Sequence, residues 1–415
     1  MSNICSISSL LRLLFLFCRD IIQTLECTHI FSIEEVAMKP VAQISTGKRN
    51  EVIDLIKALG IIFMVLGHSG APISQFIYLF HMAIFFIASG YCYKPAYSED
   101  IPSVLTFIKK KFKSLWFPYV LWITIFTVLH NVFIKINVYT DNPLINLYVS
   151  GEWNCLTSPW SIGDMIRNII FAILLHGGAQ IGGAFWFLAT LFEISIAYCL
   201  IDFFINLWFK KQHRNLLQGC VAVVFVLLGY LCSIYDISLF GIDRILSFYI
   251  LFYFGNMISH FQLSDRPRTT AGHGIFLLVS FIILLILNEL GTIRIDINRY
   301  ENPLFLIAAS CTGWQFMYEI SFFLKRFKPV CTMLSCIGKN TLAVVILHLL
   351  CFKSVSYIGV LLNGDPAFLV AAFPYLYEGT GWWIAYSLAG IGIPVVLSLL
   401  WKKLKSSCFF DCSQL

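Results

Sequence analysis

A lysine and a histidine bracket an apolar run near the start of the chain. In "KALGIIFMVLGH", Lys57 and His68 stand eleven positions apart. At about 100° per residue, this spacing places both side chains on one face of an α-helix, about 16 Å apart along its axis. A neutral imidazole suits general-base chemistry on a hydroxyl group, because its pKa lies near working pH. An ionisable residue within an apolar helix is a hypothesis about function.

Asp54 precedes Lys57 by three positions and shares its helix face. One interpretation is an interfacial ion pair, with Lys57 extending its ammonium group to the lipid headgroups. The other is that both residues belong to a site. His68 fits the first interpretation poorly, because it lies at the opposite end of the helix and polar residues on membrane helices usually face the bundle interior.

Two further histidines are predicted at the depth of His68. His81 lies on the next, antiparallel apolar segment, "FIYLFHMAIFFIASGY", and His348 in "TLAVVILHLL" lies about 20 Å from the start of its own segment. A lone histidine can simply join helices by hydrogen bonds, but three at one level favour a site in which His68 is a general base or a transient acyl carrier. None of His68, His81 and His348 belongs to a Glu-x-x-His or His-x3-His pair, so no metal is expected at these histidines.

An acidic residue and a lysine cluster are the remaining candidates. Glu193 in "FWFLATLFEISIAY" lies two to three turns into an apolar segment, where a carboxylate needs a partner. It is compatible with a second acid or base, a partner for a histidine, or a hydrogen bond within the bundle. The run "IKKKFKS" contains Lys110 and Lys113, which can hold an anionic headgroup or a phosphorylated cofactor, or can reflect ordinary positive-inside topology.

The composition indicates an all-α polytopic membrane protein. Of 415 residues, 58% are hydrophobic and only 13% are charged, and the mean hydropathy is +0.79, so the chain has too little polar surface for a soluble domain of this length. A net charge of +6 is read by position in such a protein and does not imply nucleic-acid binding. The 14 cysteines contain no CxxC pair and read as small core residues.

Ten windows of about 20 apolar residues predict ten membrane spans. They cover approximately residues 53–70, 74–93, 115–137, 184–207, 216–235, 244–261, 273–290, 303–324, 334–357 and 381–401. Two shorter patches, "MIRNIIFAILLHGG" and "PAFLVAAFPYLY", read as re-entrant or interfacial pieces. With the N-terminus inside, twenty Lys and Arg fall in the inner segments and six in the outer ones, leaving aside Lys57 and the two arginines before Met38. The bias predicts that both termini are cytoplasmic.

The predicted organisation is a single membrane domain. We expect residues 1–48 to be an N-terminal extension, with Met38 as an alternative start, because the early apolar run is interrupted by Arg12 and is too short to span a bilayer. Residues 49–405 form the transmembrane domain, and residues 406–415 form a cytoplasmic tail.

Five ordered motifs resemble the membrane-bound acyltransferase-3 family, in particular its fucose 4-O-acetylase-like and polysaccharide O-acetyltransferase members. They are "IDLIKALGIIFMVLGHS", "FIYLFHMAIFFIASGY", "KKFKSLWFPYVLW", "FWFLATLF" and "IGKNTLAVVILH", and the similarity runs from Arg49 to Lys405. The resemblance implies a multi-pass enzyme of the bacterial inner membrane. Such an enzyme moves an acetyl group from cytoplasmic acetyl-CoA to a hydroxyl of a cell-surface or lipid-linked glycan.

Carried over by residue, the resemblance makes His68 the essential histidine and Lys57 its basic partner. Lys110 and Lys113 stand where the family has a basic pair. Many relatives have arginine at these basic positions, and a lysine cannot offer a phosphate the bidentate fork of a guanidinium group.

A transporter or exporter of a polysaccharide or lipid-linked glycan is the alternative class, because charged residues inside helices and re-entrant segments also suit transport. Two features favour the enzyme: no inverted repeat is visible in the sequence, and the predicted positions of the histidines lie near one face of the membrane instead of its midplane. A purely structural scaffold leaves Lys57, His68 and His81 unexplained.

Overall fold

Helices make up most of the described chain. The computed structural model describes residues 51–149, 155–209, 213–238, 240–262, 268–379 and 381–411. These residues belong to one compact unit, Asn50–Leu415. The predicted N-terminal extension and the end of the predicted tail lie outside the described residues, so those assignments stay predictions.

We number the helices in chain order. They are α1 Glu51–His68, α2 Ser74–Tyr78, α3 Ala83–Tyr91, α4 Ile101–Lys111, α5 Phe117–Val128, α6 His130–Lys135, α7 Ile145–Tyr148, α8 Ile162–Ile173, α9 Phe185–Phe209, α10 Arg214–Ile234, α11 Ile242–His260, α12 Thr270–Leu290, α13 Pro303–Leu324, α14 Lys328–Gly338, α15 Thr341–Asn363 and α16 Trp382–Asp411. A π-helical turn, Phe112–Trp116, joins α4 to α5.

A short antiparallel hairpin joins α12 to α13. Its strands are β1 Ile293–Arg294 and β2 Arg299–Tyr300, which pair Ile293 with Tyr300 and Arg294 with Arg299. A 3₁₀ turn, Ile295–Ile297, forms the connection. Asn298 takes a positive φ of 54° at the end of this turn, a conformation that asparagine tolerates better than most residues.

Side-chain caps determine where several helices begin. The Asn302 side chain accepts a hydrogen bond from the Phe305 backbone N–H, and Pro303 occupies the first helical position of α13. Ser161 and Asp164 form a reciprocal capping box at the start of α8. These groups satisfy backbone donors that the first turn of a helix leaves unpaired.

The described residues are almost entirely helical, as predicted for an all-α membrane protein, while the ten spans and the cytoplasmic termini stay predictions. Six helical segments are long and apolar enough, by length and composition, to cross a membrane: Ser74–Tyr91, Phe185–Phe209, Arg214–Ile234, Thr270–Leu290, Thr341–Asn363 and Trp382–Leu404. The predicted third span is divided, because α5 ends at Val128 and α6 begins at His130.

The predicted second span is interrupted between α2 and α3, at His81. The backbone N–H of Phe80 and that of His81 both donate to the Ile77 carbonyl, at 3.2 and 3.1 Å. The His81 Nδ1 atom lies 3.0 Å from the same oxygen. The interruption therefore coincides with a carbonyl that three nitrogen atoms share.

Helix α1 lies in the middle of the helical unit. It packs against α3, α13, α14, α15 and α16, and Ile56, Ala58, Ile61 and Val65 are fully buried along it. The helix that carries Lys57 and His68 is therefore surrounded by protein along most of its length.

Glycines allow α3 and α11 to cross at backbone contact. A Cβ atom added at Gly90 would lie 1.9 Å from the Phe252 carbonyl oxygen, and one added at Gly255 would lie 1.9 Å from that of Ile87. Small residues at both sides of a crossing permit this approach between apolar helices.

Candidate functional site

The three predicted histidines meet around the C-terminal end of α1, and two of them form a direct contact. The Nδ1 atom of His68 and the Nε2 atom of His348 lie 3.4 Å apart. The other ring nitrogen of His348, Nδ1, lies 2.9 and 3.1 Å from the Val344 and Val345 carbonyl oxygens. We refer to the region around His68 and His348 as the histidine end of the bundle.

The hydrogen bonds of His348 determine the tautomers of the pair. A ring nitrogen that faces carbonyl oxygens must carry the proton, so Nδ1 of neutral His348 is the donor and its Nε2 is the acceptor. His68 then donates from Nδ1, and its Nε2 keeps an unshared electron pair. His68 is half-buried, and its Nε2 is chemically equipped to accept a proton from a substrate group.

His81 lies beside this pair. It is 2% exposed, and its Nδ1 donates to the Ile77 carbonyl. Its Nε2 is a buried acceptor with no hydrogen-bond partner within the described residues. His81 is close enough to His68 for the two rings to interact electrostatically. Buried polar atoms are normally hydrogen-bonded, so this acceptor makes His81 a candidate for contact with a bound molecule.

Two tyrosines, which sequence reasoning did not identify, lie at the end of α1: Tyr78 beside His68 and Tyr375 beside Gly70. The Tyr78 ring centroid lies 6.4 Å from that of His68, and its hydroxyl donates to the Gly67 carbonyl at 2.9 Å. Gly70 has a φ of 75°, and a Cβ atom there would lie 2.7 Å from the Tyr375 ring. The glycines on either side of His68 were the available signal, because they mark where the chain needs space and left-handed backbone.

The opposite end of α1 carries a lysine cluster. Lys57 acts electrostatically on Lys111, a residue of α4. The Lys111 ammonium lies 5.3 Å from the Phe107 ring, and burial, with Lys110 and Lys57 as neighbouring cations, lowers the pKa of Lys111 to about 8. Like charges held together in this way suit an anionic ligand.

The lysine cluster differs from the predicted pair of Lys110 and Lys113. The Lys110 Nζ atom lies 3.4 Å from the Tyr97 hydroxyl and 5.5 Å from its ring centroid. Lys113 is exposed on the π-helical turn. We define the lysine cluster as Lys57, Lys110 and Lys111.

Asp54 lies one turn before Lys57, where α14 packs against α1. The residue is 7% exposed, and a Cβ atom added at Gly338 would lie 2.7 Å from the Asp54 carbonyl oxygen. Asp54 therefore belongs to the packed part of α1, and its place in the reaction stays a prediction.

Glu193 lies beside an arginine. Its electrostatic neighbours are Arg244 and Asp243, at the start of α11. A Cβ atom added at Gly241 would lie 3.5 Å from the Arg244 Nη2 atom and 3.7 Å from the Glu193 Oε2 atom. The arginine neighbour was not among the three interpretations that the sequence left open for Glu193, and the role of Glu193 in the reaction stays a prediction.

Lys353 is a buried cation with a local role. It is 3% exposed and donates to the carbonyl oxygens of Ala371 and Ala372 at 3.1 and 2.5 Å. These bonds hold the turn Ala367–Ala371 against α15. Across the residues that the structure describes, no group of three or more His, Cys, Asp or Glu side chains is placed to hold a metal ion.

The long apolar helices identify an integral membrane protein. Its candidate site lies along the central helix α1, with imidazoles at one end and lysines at the other. A family model described as an acyltransferase domain matches residues 50–401. The chain therefore belongs to the acyltransferase-3 family, and the family predicted from the ordered motifs is confirmed. Comparisons with curated proteins and with solved structures gave no match.

Proposed function

We propose that this protein transfers an acetyl group from cytoplasmic acetyl-CoA to a hydroxyl of a cell-surface or lipid-linked glycan, in the bacterial inner membrane. Membership of the acyltransferase family supplies the reaction class. The observation that carries the proposal is the contact between His68 Nδ1 and His348 Nε2, because it leaves one imidazole nitrogen free to act on a hydroxyl.

The proposed topology has ten spans with both termini in the cytoplasm. It places the lysine cluster on the cytoplasmic side, where basic residues concentrate in membrane proteins, and the histidine end on the outer side. Arg294, one of the six cations predicted outside, acts electrostatically on Tyr78 beside His68, and Arg244, another of the six, contacts the carbonyl oxygen of Asp296 on the same hairpin. These positions support this orientation.

The lysine cluster is the proposed site for the phosphates of the acyl donor. Lys57, Lys110 and Lys111 provide several ammonium groups within one region, and multiple cations favour a polyphosphate. His68 lies about 16 Å further along the same helix face. The long pantetheine arm of CoA suits that separation, so a donor bound through its phosphates would direct its thioester towards the histidine end.

In the proposed chemical step, His68 is the general base. Its Nε2 atom accepts the proton of the acceptor hydroxyl while the hydroxyl oxygen bonds to the acetyl carbonyl carbon. The carbon–sulfur bond then breaks, CoA leaves as a thiolate, and the imidazolium returns its proton to that sulfur. His348 is a positioning residue, because its contact with Nδ1 orients the His68 ring and stabilises the imidazolium that forms.

Labelled acetyl-CoA tests the proposal directly. Membranes containing the protein are incubated with the donor and with cell-surface glycan that has been chemically de-O-acetylated, and the product is assayed for an alkali-labile ester. We expect label in the glycan with the wild type and none with His68→Gln. His260→Gln is the matched control, because His260 is exposed at the end of α11.

Retained transfer in His68→Gln would overturn the role of His68. A wild-type protein that forms no ester but changes the amount of glycan outside the cell would identify the transporter alternative. Insertion and folding of each variant are checked by its yield and elution as a monodisperse detergent-solubilised protein.

A further inference from the structure

Four side chains from three separated segments converge beside the histidine end. Arg294 and Asp296 come from the hairpin between α12 and α13, Arg244 from the first turn of α11, and Trp186 from the first turn of α9. We call these residues the hairpin cluster. The Arg294 Nη2 atom lies 3.4 Å from an Asp296 carboxylate oxygen. The Arg244 Nη1 atom lies 3.5 Å from the Asp296 carbonyl oxygen, and its guanidinium lies 5.8 Å from the Trp186 ring centroid.

The hairpin cluster adjoins His68. The Asp296 carboxylate acts electrostatically on the His68 imidazole and on the Tyr78 hydroxyl, and the Arg294 guanidinium acts on the same hydroxyl. Tyr78 is also in ring contact with both His68 and His81. A molecule seated on the cluster would therefore lie in the neighbourhood of His68 and Tyr78.

The cluster differs from the ion pairs that hold this fold together. The carboxylates of Asp202 and Glu319 are fully buried. Arg214 contacts Asp202 at 2.5 Å, Arg268 contacts Glu319 at 2.9 Å, and two further side chains bind each carboxylate. Asp296, by contrast, keeps 27% of its side chain exposed and meets its arginine at 3.4 Å. The Asp296 carboxylate is positioned by its surroundings yet still open to an external ligand.

The chemistry of these four side chains matches a sugar ring. A carboxylate accepts hydrogen bonds from hydroxyl groups, and a planar guanidinium donates two parallel bonds to neighbouring oxygens. An indole ring offers an apolar face to the C–H surface of a pyranose. A binding site of this kind combines an aromatic surface with a few convergent polar groups.

We propose that Trp186, Arg244, Arg294 and Asp296 bind the acceptor, and that the acceptor unit is a sugar ring with at least two neighbouring free hydroxyl groups. This inference rests on the proposed function for its position in the reaction: the bound ring presents one hydroxyl to His68 Nε2. The hairpin cluster is thus a specificity-determining site, separate from the lysine cluster that holds the donor.

Binding of simple glycosides without any acyl donor tests the hairpin cluster. The probes are methyl glycosides of common hexoses and 6-deoxyhexoses, and the readout is saturation-transfer NMR with the detergent-purified full chain. The variants are Asp296→Asn and Arg294→Gln. Arg299→Gln is the control, because Arg299 lies on the same hairpin in an exposed ion pair with Asp236, with side chains 57% and 80% exposed.

We expect at least one glycoside to bind the wild type and Arg299→Gln equally, with affinity reduced about tenfold in Asp296→Asn and Arg294→Gln. Thermal unfolding checks that each variant is folded, and Arg294→Lys supplies a more conservative second variant. No binding by the wild type, or equal binding by all variants, would overturn the inference. Because no acyl donor is present, this result is independent of the labelled acetyl-CoA experiment, which tests the proposed transfer itself.

Discussion

His348 presents an unprotonated ring nitrogen to His68. The backbone of α15 binds His348 Nδ1, at 2.9 Å from the Val344 carbonyl oxygen, and the opposite nitrogen of that ring meets His68 Nδ1 at 3.4 Å. The relationship links a helix backbone, a positioning imidazole and a second imidazole in series. It resembles the way in which an orienting group fixes the tautomer of a general base in other hydroxyl-activating sites.

Removing the acceptor nitrogen of His348 should reduce turnover. His348→Leu leaves His68 Nδ1 without its acceptor, so the ring loses its orientation and the imidazolium loses its stabilisation. We expect kcat to fall about a hundredfold with little change in the KM for acetyl-CoA. His348→Gln, whose amide oxygen can accept a hydrogen bond, should recover part of this loss.

The pH dependence of kcat separates positioning from simple packing. If His348 stabilises the imidazolium, the acidic limb of the profile for His348→Leu should move to lower pH, because the protonated form of His68 becomes less stable. A purely structural role predicts a lower amount of active enzyme with an unchanged profile, and that outcome would contradict the assignment.

His81 should show opposite effects on stability and activity. Its buried Nε2 has no partner among the described residues, and the Ile77 carbonyl that binds its Nδ1 also accepts from two backbone N–H groups. In His81→Phe, an apolar ring of similar size removes the unpaired acceptor, so the free energy of unfolding should be equal or higher. If Nε2 contacts the substrate, transfer should fall by at least about tenfold.

Thermal unfolding and the transfer assay on the same His81→Phe preparation check this prediction. Full activity in the variant would reduce His81 to a packing residue. His81→Asn, which shortens the side chain and creates space in the bundle, is the comparison expected to lose both stability and activity.

The lysine cluster makes a prediction that distinguishes neighbouring lysines. Lys111→Gln removes a cation that lies near Lys57 and Lys110, and it should raise the KM for acetyl-CoA about tenfold. Lys113 is exposed, so Lys113→Gln should change that KM less than about twofold. Equal effects of the two substitutions would contradict the cluster defined above.

Donor binding should also depend on pH through Lys111. Its pKa is lowered to about 8, so the ammonium loses its charge as the pH rises from about 7 to about 9, and a phosphate then loses an attractive partner. The KM for acetyl-CoA should rise over this interval. In Lys111→Arg the charge persists, so the rise should be much smaller, and a rise of the same size would assign the titration to another group.

Gly70 should tolerate no side chain. Its φ of 75° disfavours other residues, and a Cβ atom would lie 2.7 Å from the Tyr375 ring. Gly70→Ala should therefore cost at least about 1 kcal/mol of stability and should disturb transfer through the adjacent His68. A Cβ atom added at Gly392, within α16, would meet open space, so Gly392→Ala, measured by the same thermal unfolding, is the control expected to be neutral.

The sequence allowed the histidine end to be predicted because its determinants are local. The length of an apolar segment gives the depth of a residue within it, and this reasoning placed His68, His81 and His348 at one level. In the structure the three histidines lie close to one another, as their common depth predicts. The direct contact between His68 and His348 could not be predicted in this way, because it also depends on how α15 is rotated about its own axis. Packing of α15 against the rest of the unit determines that rotation.

Other features depend on interactions that a single sequence does not display. The break at His81 lies within a run of apolar residues that carries no Gly or Pro, and it coincides with the contact between the imidazole and the Ile77 carbonyl. Glu193 and Arg244 are far apart in the chain, so their proximity depends on how α9 packs beside α11. The π-helical turn Phe112–Trp116 changes the helical phase after Lys111. Because of this change, the regular spacing of an α-helix does not predict which of the lysines from Lys109 to Lys113 face Lys57.

The backbone contact between α3 and α11 limits how an acceptor could reach the site. With Gly90 against Phe252 and Gly255 against Ile87, neither helix can slide along the other without steric overlap. His81, just before α3, and Arg244, in the first turn of α11, are therefore attached to one rigid body. A glycan chain would therefore reach the site without passing between these two helices at their crossing, and the hairpin that carries Asp296 lies outside this pair.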